Sequence, residues 1–314
     1  MVKVDLITGF LGSGKTTFIR KYVKHLLSKG QKIAILENDF GAVNVDMMLL
    51  KDLEGDNCSL EMIAGGCDYD CHVRRTKTKL IALGMVGFDR VIVEPSGIYD
   101  VDEFFDVLRD EPLCDWYEIG SVITILDAGL EDNLSEESEY LLTSQLTNAG
   151  KIVISKINSD KASGPDALVD RINTILSKFK SERTFTTDDV IAKDWEEFTD
   201  REFDEIINAG YVTGDHTKLW FDERRTFKSL YFMNVVMPVE ELRNKITRLF
   251  NDEKAGHIFR IKGFMPENNR WYEINATREQ TSVSELIDGQ EVIIVIGEDL
   301  NEEEIDSILK SCSH

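Results

Sequence analysis

The chain has no apolar run approaching the roughly 20 residues that a bilayer-spanning helix requires, which argues against an integral helical membrane protein. Its first residues, MVKVDLITGF, run straight into an apolar strand with no cleavable leader, so a cytoplasmic location is expected. Positive charge is scarce. With 36 Lys and Arg against 58 Asp and Glu, the net charge of −22 repels a phosphate backbone and an anionic membrane surface alike. Neither nucleic acid nor a membrane is therefore an expected partner. Cysteine is too sparse for a disulfide scaffold: five, without regular spacing, suit a reducing compartment where thiols serve metals or catalysis. Internal repeats and low-complexity tracts are missing as well. What remains, 314 residues at 42% hydrophobic and 30% charged, is the composition of a globular chain of about two domains.

Apolar runs at 2–7 and 33–36 flank a stretch, Lys15 to Lys29, in which Phe18, Ile19, Tyr22, Val23, Leu26 and Leu27 recur at helical spacing before Gly30 closes it. This is a βαβ unit. Further strand candidates at 91–93, 121–126 and 151–154 alternate with helical stretches near 101–109, 135–147 and 166–179, the pattern of a parallel sheet covered on both faces. After about residue 180 the chain turns acidic and aromatic-dotted, and a helix with a connector is expected there. From Phe227 a small α+β unit follows: strand SLYFMNVVM, helix Pro238 to Phe250, strands HIFRIKGFM, RWYEINA and EVIIVIG, and a final helix from Asn301 to Cys312. Tyr231, Phe232, Phe259, Phe264, Trp271 and Tyr272 are expected to fill its core. Cys58 and Cys114 read as buried small hydrophobes, and the single His216 as exposed.

Residues Gly9 to Thr16, GFLGSGKT, match G-x-x-x-x-G-K-[ST] and lie between a predicted strand and a predicted helix, the context in which this motif binds nucleotide phosphates. Gly9, Gly12 and Gly14 let the backbone wrap closely, and amides from Ser13 to Thr17 at the helix N-terminus bind phosphate oxygens. Lys15 reaches the β/γ oxygens, and Thr16 offers its hydroxyl to Mg²⁺. A second strand ends in Glu94-Pro95-Ser96-Gly97. A carboxylate there holds Mg²⁺ beside the P-loop, and the Gly97 amide senses the γ-phosphate. In 37–46, the expected first switch loop, lie Glu37, Asp39 and Asp46: Asp39 is a further Mg²⁺ candidate, and Asp46 the candidate for orienting attacking water.

GFLGSGKTT, ENDFG followed by VD, a Gly-Cys motif ahead of VRR, VEPSG and the tail IIVIGEDLNEEEIDSILKSC together resemble the CobW-type metallochaperone GTPases, relatives of HypB and UreG. The resemblance implies an α/β P-loop NTPase of the SIMIBI type over 1–185, a helical connector over 186–225 and a CobW-type α+β domain over 226–314. It implies GTP and Mg²⁺ as cofactors, coupling of hydrolysis to delivery of a metal, a client metalloprotein or cofactor-dependent enzyme as partner, and a nucleotide-dependent homodimer.

Two departures from the family pattern carry consequences. The family's Gly-Cys-x-Cys-Cys is here Gly66-Cys67-Asp68-Tyr69-Asp70-Cys71-His72. Cys67, Cys71 and His72 with Asp68 or Asp70 still offer S, N and O donors, suited to Zn²⁺ or Co²⁺; redox chemistry of the cysteine pair is the alternative. The family's Asn-Lys-x-Asp falls on Ser155-Lys156-Ile157-Asn158. Lys156 packs its stem on the base, but Asn158 lacks the charged acceptor for guanine, so relaxed base choice is expected, with XTP tolerated and Asn158→Asp tightening GTP. A nucleotide-dependent regulatory switch without metal transfer, or a small-molecule kinase, is the competing reading of the same motifs.

Overall fold

The structure is a computed structural model, and it describes residues 1–39, 45–64, 69–97, 101–159, 162–219, 226–278, 280–286 and 289–311. The side chains of 38, 39, 45, 46, 48, 64, 69 and 70 are not part of that description. The chain divides into two compact units, Met1–Leu219 and Trp220–His314.

The first unit is built on seven parallel strands: β1 (Val2–Thr8), β2 (Ile33–Asp39), β3 (Cys58–Ala64), β4 (Arg90–Glu94), β5 (Tyr117–Asp127), β6 (Lys151–Ser155) and β7 (Val190–Ile191). Their order across the sheet is β3-β2-β4-β1-β5-β6-β7, which puts β1 at the centre. Around it run α1 (Lys15–Ser28), α2 (Val45–Leu50), α3 (Tyr69–Val86), α4 (Val101–Arg109), α5 (Leu113–Trp116), α6 (Glu136–Thr147), α7 (Pro165–Lys178) and α8 (Asp200–Ile207). Strand residues alternate between two cores because successive side chains point to opposite faces. Ile7, Ile33, Ile35, Ile92, Ile123 and Val153 pack with Phe18, Tyr22 and Leu26 of α1 and Phe203 of α8. Val4, Leu6, Ala34, Leu36, Val91 and Val93 pack with Leu80 of α3 and Phe104 of α4. Helix α1 stops where Gly30 enters the left-handed region at φ +80° and its N–H bonds back to Leu27 O at 2.9 Å.

Strand β3 and helix α3 are absent from the sequence reading, because polar residues interrupt the apolar pattern there, and so are β7 and the strand Thr281–Leu286 of the second unit; the helix expected in the acidic stretch after residue 180 is α8. Segment 186–219, read from sequence as part of a connector, belongs to the first unit: β7 pairs with β6 (Ile152 with Val190, Val153 with Ile191), and Phe203 and Ile206 of α8 are buried.

The second unit is a five-stranded antiparallel sheet of β8 (Phe227–Met233), β9 (His257–Glu267), β10 (Arg270–Thr277), β11 (Thr281–Leu286) and β12 (Val292–Glu298), ordered β11-β10-β9-β12-β8. Helices α9 (Val239–Asn251) and α10 (Glu302–Lys310) cover one face, where Leu242, Ile246, Ile258, Ile293, Val295 and Ile305 form the core. Of the aromatics expected there, Phe232 joins this core, whereas Tyr231, Trp271 and Tyr272 remain half-buried.

Candidate functional site

Parallel pairing of β1 with β4 (Leu6 opposite Val93) brings the loop after β1 beside the carboxylate that ends β4. In that loop Gly9 has φ +145°, and a Cβ there would lie 2.4 Å from the Ile125 carbonyl oxygen. Gly14, at φ +96°, is the left-handed N-cap of α1. Both positions therefore require glycine. Lys15, a residue 8% exposed, donates from its ammonium to the carbonyls of Gly9 at 3.0 Å and Phe10 at 3.5 Å, holding its charge across the loop's mouth. The Ser13 hydroxyl is buried without a hydrogen-bond partner among the described residues, as a group facing a phosphate oxygen would be.

Thr16 Oγ1 donates to Glu94 Oε1 at 3.0 Å, and both side chains are buried. A hydroxyl and a carboxylate at this separation are a hard-oxygen pair that fits Mg²⁺. Glu37 corrects the sequence reading: it lies within β2, not in a loop, is 2% exposed, and stands in register with Glu94 on the adjacent strand. Two buried carboxylates thus share one face of the sheet at its C-terminal edge. Asp39 is the last residue of β2 and Asp46 the second of α2; the backbone places them, and nothing further is described of their side chains.

Gly97 packs on the phosphate loop so closely that a Cβ would stand 2.8 Å from Leu11 N. Helix α6, which the sequence reading did not single out, grips both sides of 98–100. Gln145 Nε2 donates to Gly97 O at 3.0 Å, Ser144 Oγ accepts from Val101 N at 3.0 Å, and Asn148 Nδ2 donates to Asp102 Oδ1 at 3.3 Å. No motif marks these residues; only the fold brings them to the loop.

At the end of β6, Lys156 takes φ +53° and pairs with Asp127 Oδ2 at 2.5 Å. Asn158 Nδ2 donates to Asp194 Oδ2 at 2.8 Å. Next to Asp194, the Trp195 indole N–H donates to Ile154 O at 3.0 Å, and its ring would lie 3.3 Å from a Cβ on Gly14. Phosphate loop, Ser155–Asn158 and Asp194–Trp195 are therefore one neighbourhood.

Of the expected metal ligands, Cys67 and Asp68 lie outside the described residues, and Asp70 is placed by backbone alone. Cys71 and His72 are consecutive on the first turn of α3, so their side chains diverge by about 100°. His72 is buried and Cys71 half-buried. Among the described residues no cluster of three His, Cys, Asp or Glu stands ready for a metal. Asp39 at the end of β2 pairs with Ala64 at the end of β3. Burial, then the Glu54 charge, pushes the Cys58 thiol up to about 11, so it is inert, whereas Cys114 is exposed, contrary to expectation. His216 is likewise buried rather than exposed, 5.5 Å from the Tyr140 ring.

A parallel sheet with this glycine loop after its central strand, and a carboxylate ending the neighbouring strand, defines a P-loop nucleotide-binding protein. The chain belongs to the CobW/HypB/UreG family: the family's nucleotide-binding domain matches residues 3–187, and the cobalamin synthesis protein CobW C-terminal domain matches residues 235–313. Among curated relatives, the zinc chaperone YjiA of Escherichia coli K12 is 32% identical over 190 residues, covering 56% of this chain and 55% of that one. The zinc chaperone CobW of a Sinorhizobium species is 29% identical over 205 residues, 56% of this chain and 57% of that one. The matches thus span about half the length of these relatives. The crystal structure of zinc-bound YjiA GTPase from E. coli covers 98% of this chain and 97% of that one at 21% identity, with a TM-score of 0.43. Among the described residues no helix is long and apolar enough to cross a membrane.

Proposed function

We propose that the protein is a cytoplasmic Mg²⁺-dependent GTP hydrolase acting as a metallochaperone, which couples its nucleotide state to the binding of a transition metal and its delivery to a client metalloprotein. The observation that carries the catalytic half is the Thr16–Glu94 contact of 3.0 Å, because it joins the phosphate loop to the carboxylate of the strand that leads into Gly97. Zinc is the first choice of cargo, supported by relatives named zinc chaperones. Cobalt fits the same donors.

The chemistry asks the protein for position and charge rather than for covalent steps. Lys15 neutralises the β/γ oxygens, and loop and helix amides hold them. Mg²⁺, when bound, supplies charge neutralisation at the phosphates, and Thr16 with Glu94 would hold it. The close packing of Gly97 on Leu11 supports its amide as the group that registers the γ-phosphate, and Asp46 is our candidate for orienting water. Cys67 and Cys71 as thiolates, with His72, Asp68 or Asp70, form the proposed cargo site. A nucleotide-dependent homodimer is the proposed assembly.

Phosphate release under saturating GTP and Mg²⁺ tests the catalytic half. The wild type should turn over, and Lys15→Ala should fall to background because it removes the charge that Lys15 brings to the β/γ oxygens. Near-normal release from the variant would show that this loop is not the catalytic phosphate site.

A further inference from the structure

Resting on the guanine-nucleotide reading above, we propose that Asp194 and Asn158 together form the base-reading acceptor, so that a carboxylate 36 residues away supplies the charge missing from the Ser155–Asn158 motif. A lone Asn at 158 could turn either its oxygen or its amine towards a base. In this structure it has no such choice. Asp194 Oδ2 accepts from Asn158 Nδ2 at 2.8 Å, which orients the amide and leaves its oxygen as the edge available to a ligand. The pair presents an amide oxygen beside a carboxylate, carrying one negative charge in all, as a single Asp would.

Asp194 is held where this requires. Its Oδ1 accepts from Glu196 N at 2.9 Å, starting the short helical turn Trp195–Glu197. Trp195 then locks that turn to β6 through Ile154 O and lies edge-on to Phe18 of α1 with ring centres 5.6 Å apart. A rigid aromatic thus ties the carboxylate to both the phosphate loop and the end of β6.

Guanine offers a ring N–H and an exocyclic amine to such a pair, so both meet acceptors. Xanthine brings a carbonyl where guanine has the amine, and adenine a bare ring nitrogen where guanine has N–H, so each sets acceptor against acceptor. The expectation from the isolated motif is thereby reversed. XTP is excluded, and Asn158→Asp sets a second carboxylate within hydrogen-bonding distance of the first, which weakens GTP binding.

Competition of GTP, XTP and ATP against a fluorescent GTP analogue, with Mg²⁺, tests this on the full chain. The wild type should prefer GTP to both competitors. Asp194→Asn, which keeps an oxygen to accept from Glu196 N, should weaken GTP about 10- to 150-fold, the worth of a hydrogen bond to a charged acceptor, and narrow the preference over XTP. Asn158→Asp should weaken GTP as well. The exchanged pair Asn158→Asp/Asp194→Asn should recover most of the loss, which a merely structural Asp194 would not allow. Tighter GTP in Asn158→Asp, or Asp194→Asn with unchanged base preference, overturns the inference and leaves the P-loop reading standing. A wild type that binds no nucleotide overturns both.

Discussion

Asp5 sits wholly buried in the middle of β1, where its carboxylate accepts from Tyr22 Oη at 2.7 Å, Arg90 at 2.5 Å and Ser121 N at 2.8 Å. The cluster ties α1, β4 and β5 to the strand that feeds the phosphate loop. Burial, and then the Asp5 charge, raises the Tyr22 phenol well above its ordinary 10.0. A group whose folded pKa is raised keeps its proton in the native state while the unfolded chain loses it. The stability it contributes is complete below pH 10 and drains away as pH climbs towards the folded value. Tyr22→Phe should cost about 1–3 kcal/mol near neutrality, because Asp5 loses a donor, yet its stability should fall less steeply above pH 10. Urea midpoints of both proteins from pH 7 to 11 should therefore converge, and parallel curves would remove Tyr22 from the alkaline loss.

At the scale of elements, helix α6 ties Gly97, after β4, and Val101, at the start of α4, to the body of the domain. Gln145 and Ser144 are positioning residues: they hold the carbonyl of Gly97 and the amide of Val101, without standing at the phosphates themselves. Replacing both, Ser144→Ala with Gln145→Leu, removes two hydrogen bonds worth about 0.5–1.5 kcal/mol each. We expect kcat to fall roughly 10-fold while the GTP Kd, set by the glycine loop, stays within about a factor of three. Unchanged kcat would show that the grip is structural only. None of this was legible in the sequence, because the contacts span 43 to 48 residues and no local pattern encodes them. The phosphate loop was legible, since its chemistry is local: glycines, Lys15 and Thr16 must be consecutive. The central strands were legible for a related reason: 91–93 and 152–154 are apolar throughout, as strands covered on both faces must be. Strand β3, CSLEMIA, lies at the sheet's edge, where Glu61 and Met62 are only partly buried, and its mixed composition hid it. Asp194 and Trp195 escaped because a tryptophan in an acidic stretch carries no motif until β7 folds it back onto β6.

At the scale of the molecule, the proposed function makes nucleotide and metal two ligands of one equilibrium. The segment bearing Cys67 and Cys71 follows β3, whose end pairs with the end of β2, and Glu37 of β2 stands in register with the Glu94 that contacts Thr16. In the proposed function, a change at the γ-phosphate would act through these strand ends. Coupling of this kind is reciprocal: whatever factor GTP applies to metal affinity, the metal applies to GTP affinity. The most direct measurement is a zinc titration, by competition with a chromophoric chelator, in the presence of Mg²⁺ with a non-hydrolysable GTP analogue, with GDP, and with no nucleotide. The account predicts one zinc per chain and affinities differing about 5- to 150-fold between the GTP-like and GDP states, with the binding lost in Cys67→Ser/Cys71→Ser. Equal affinity in every nucleotide state, or stoichiometric binding that survives in the double variant, would contradict it.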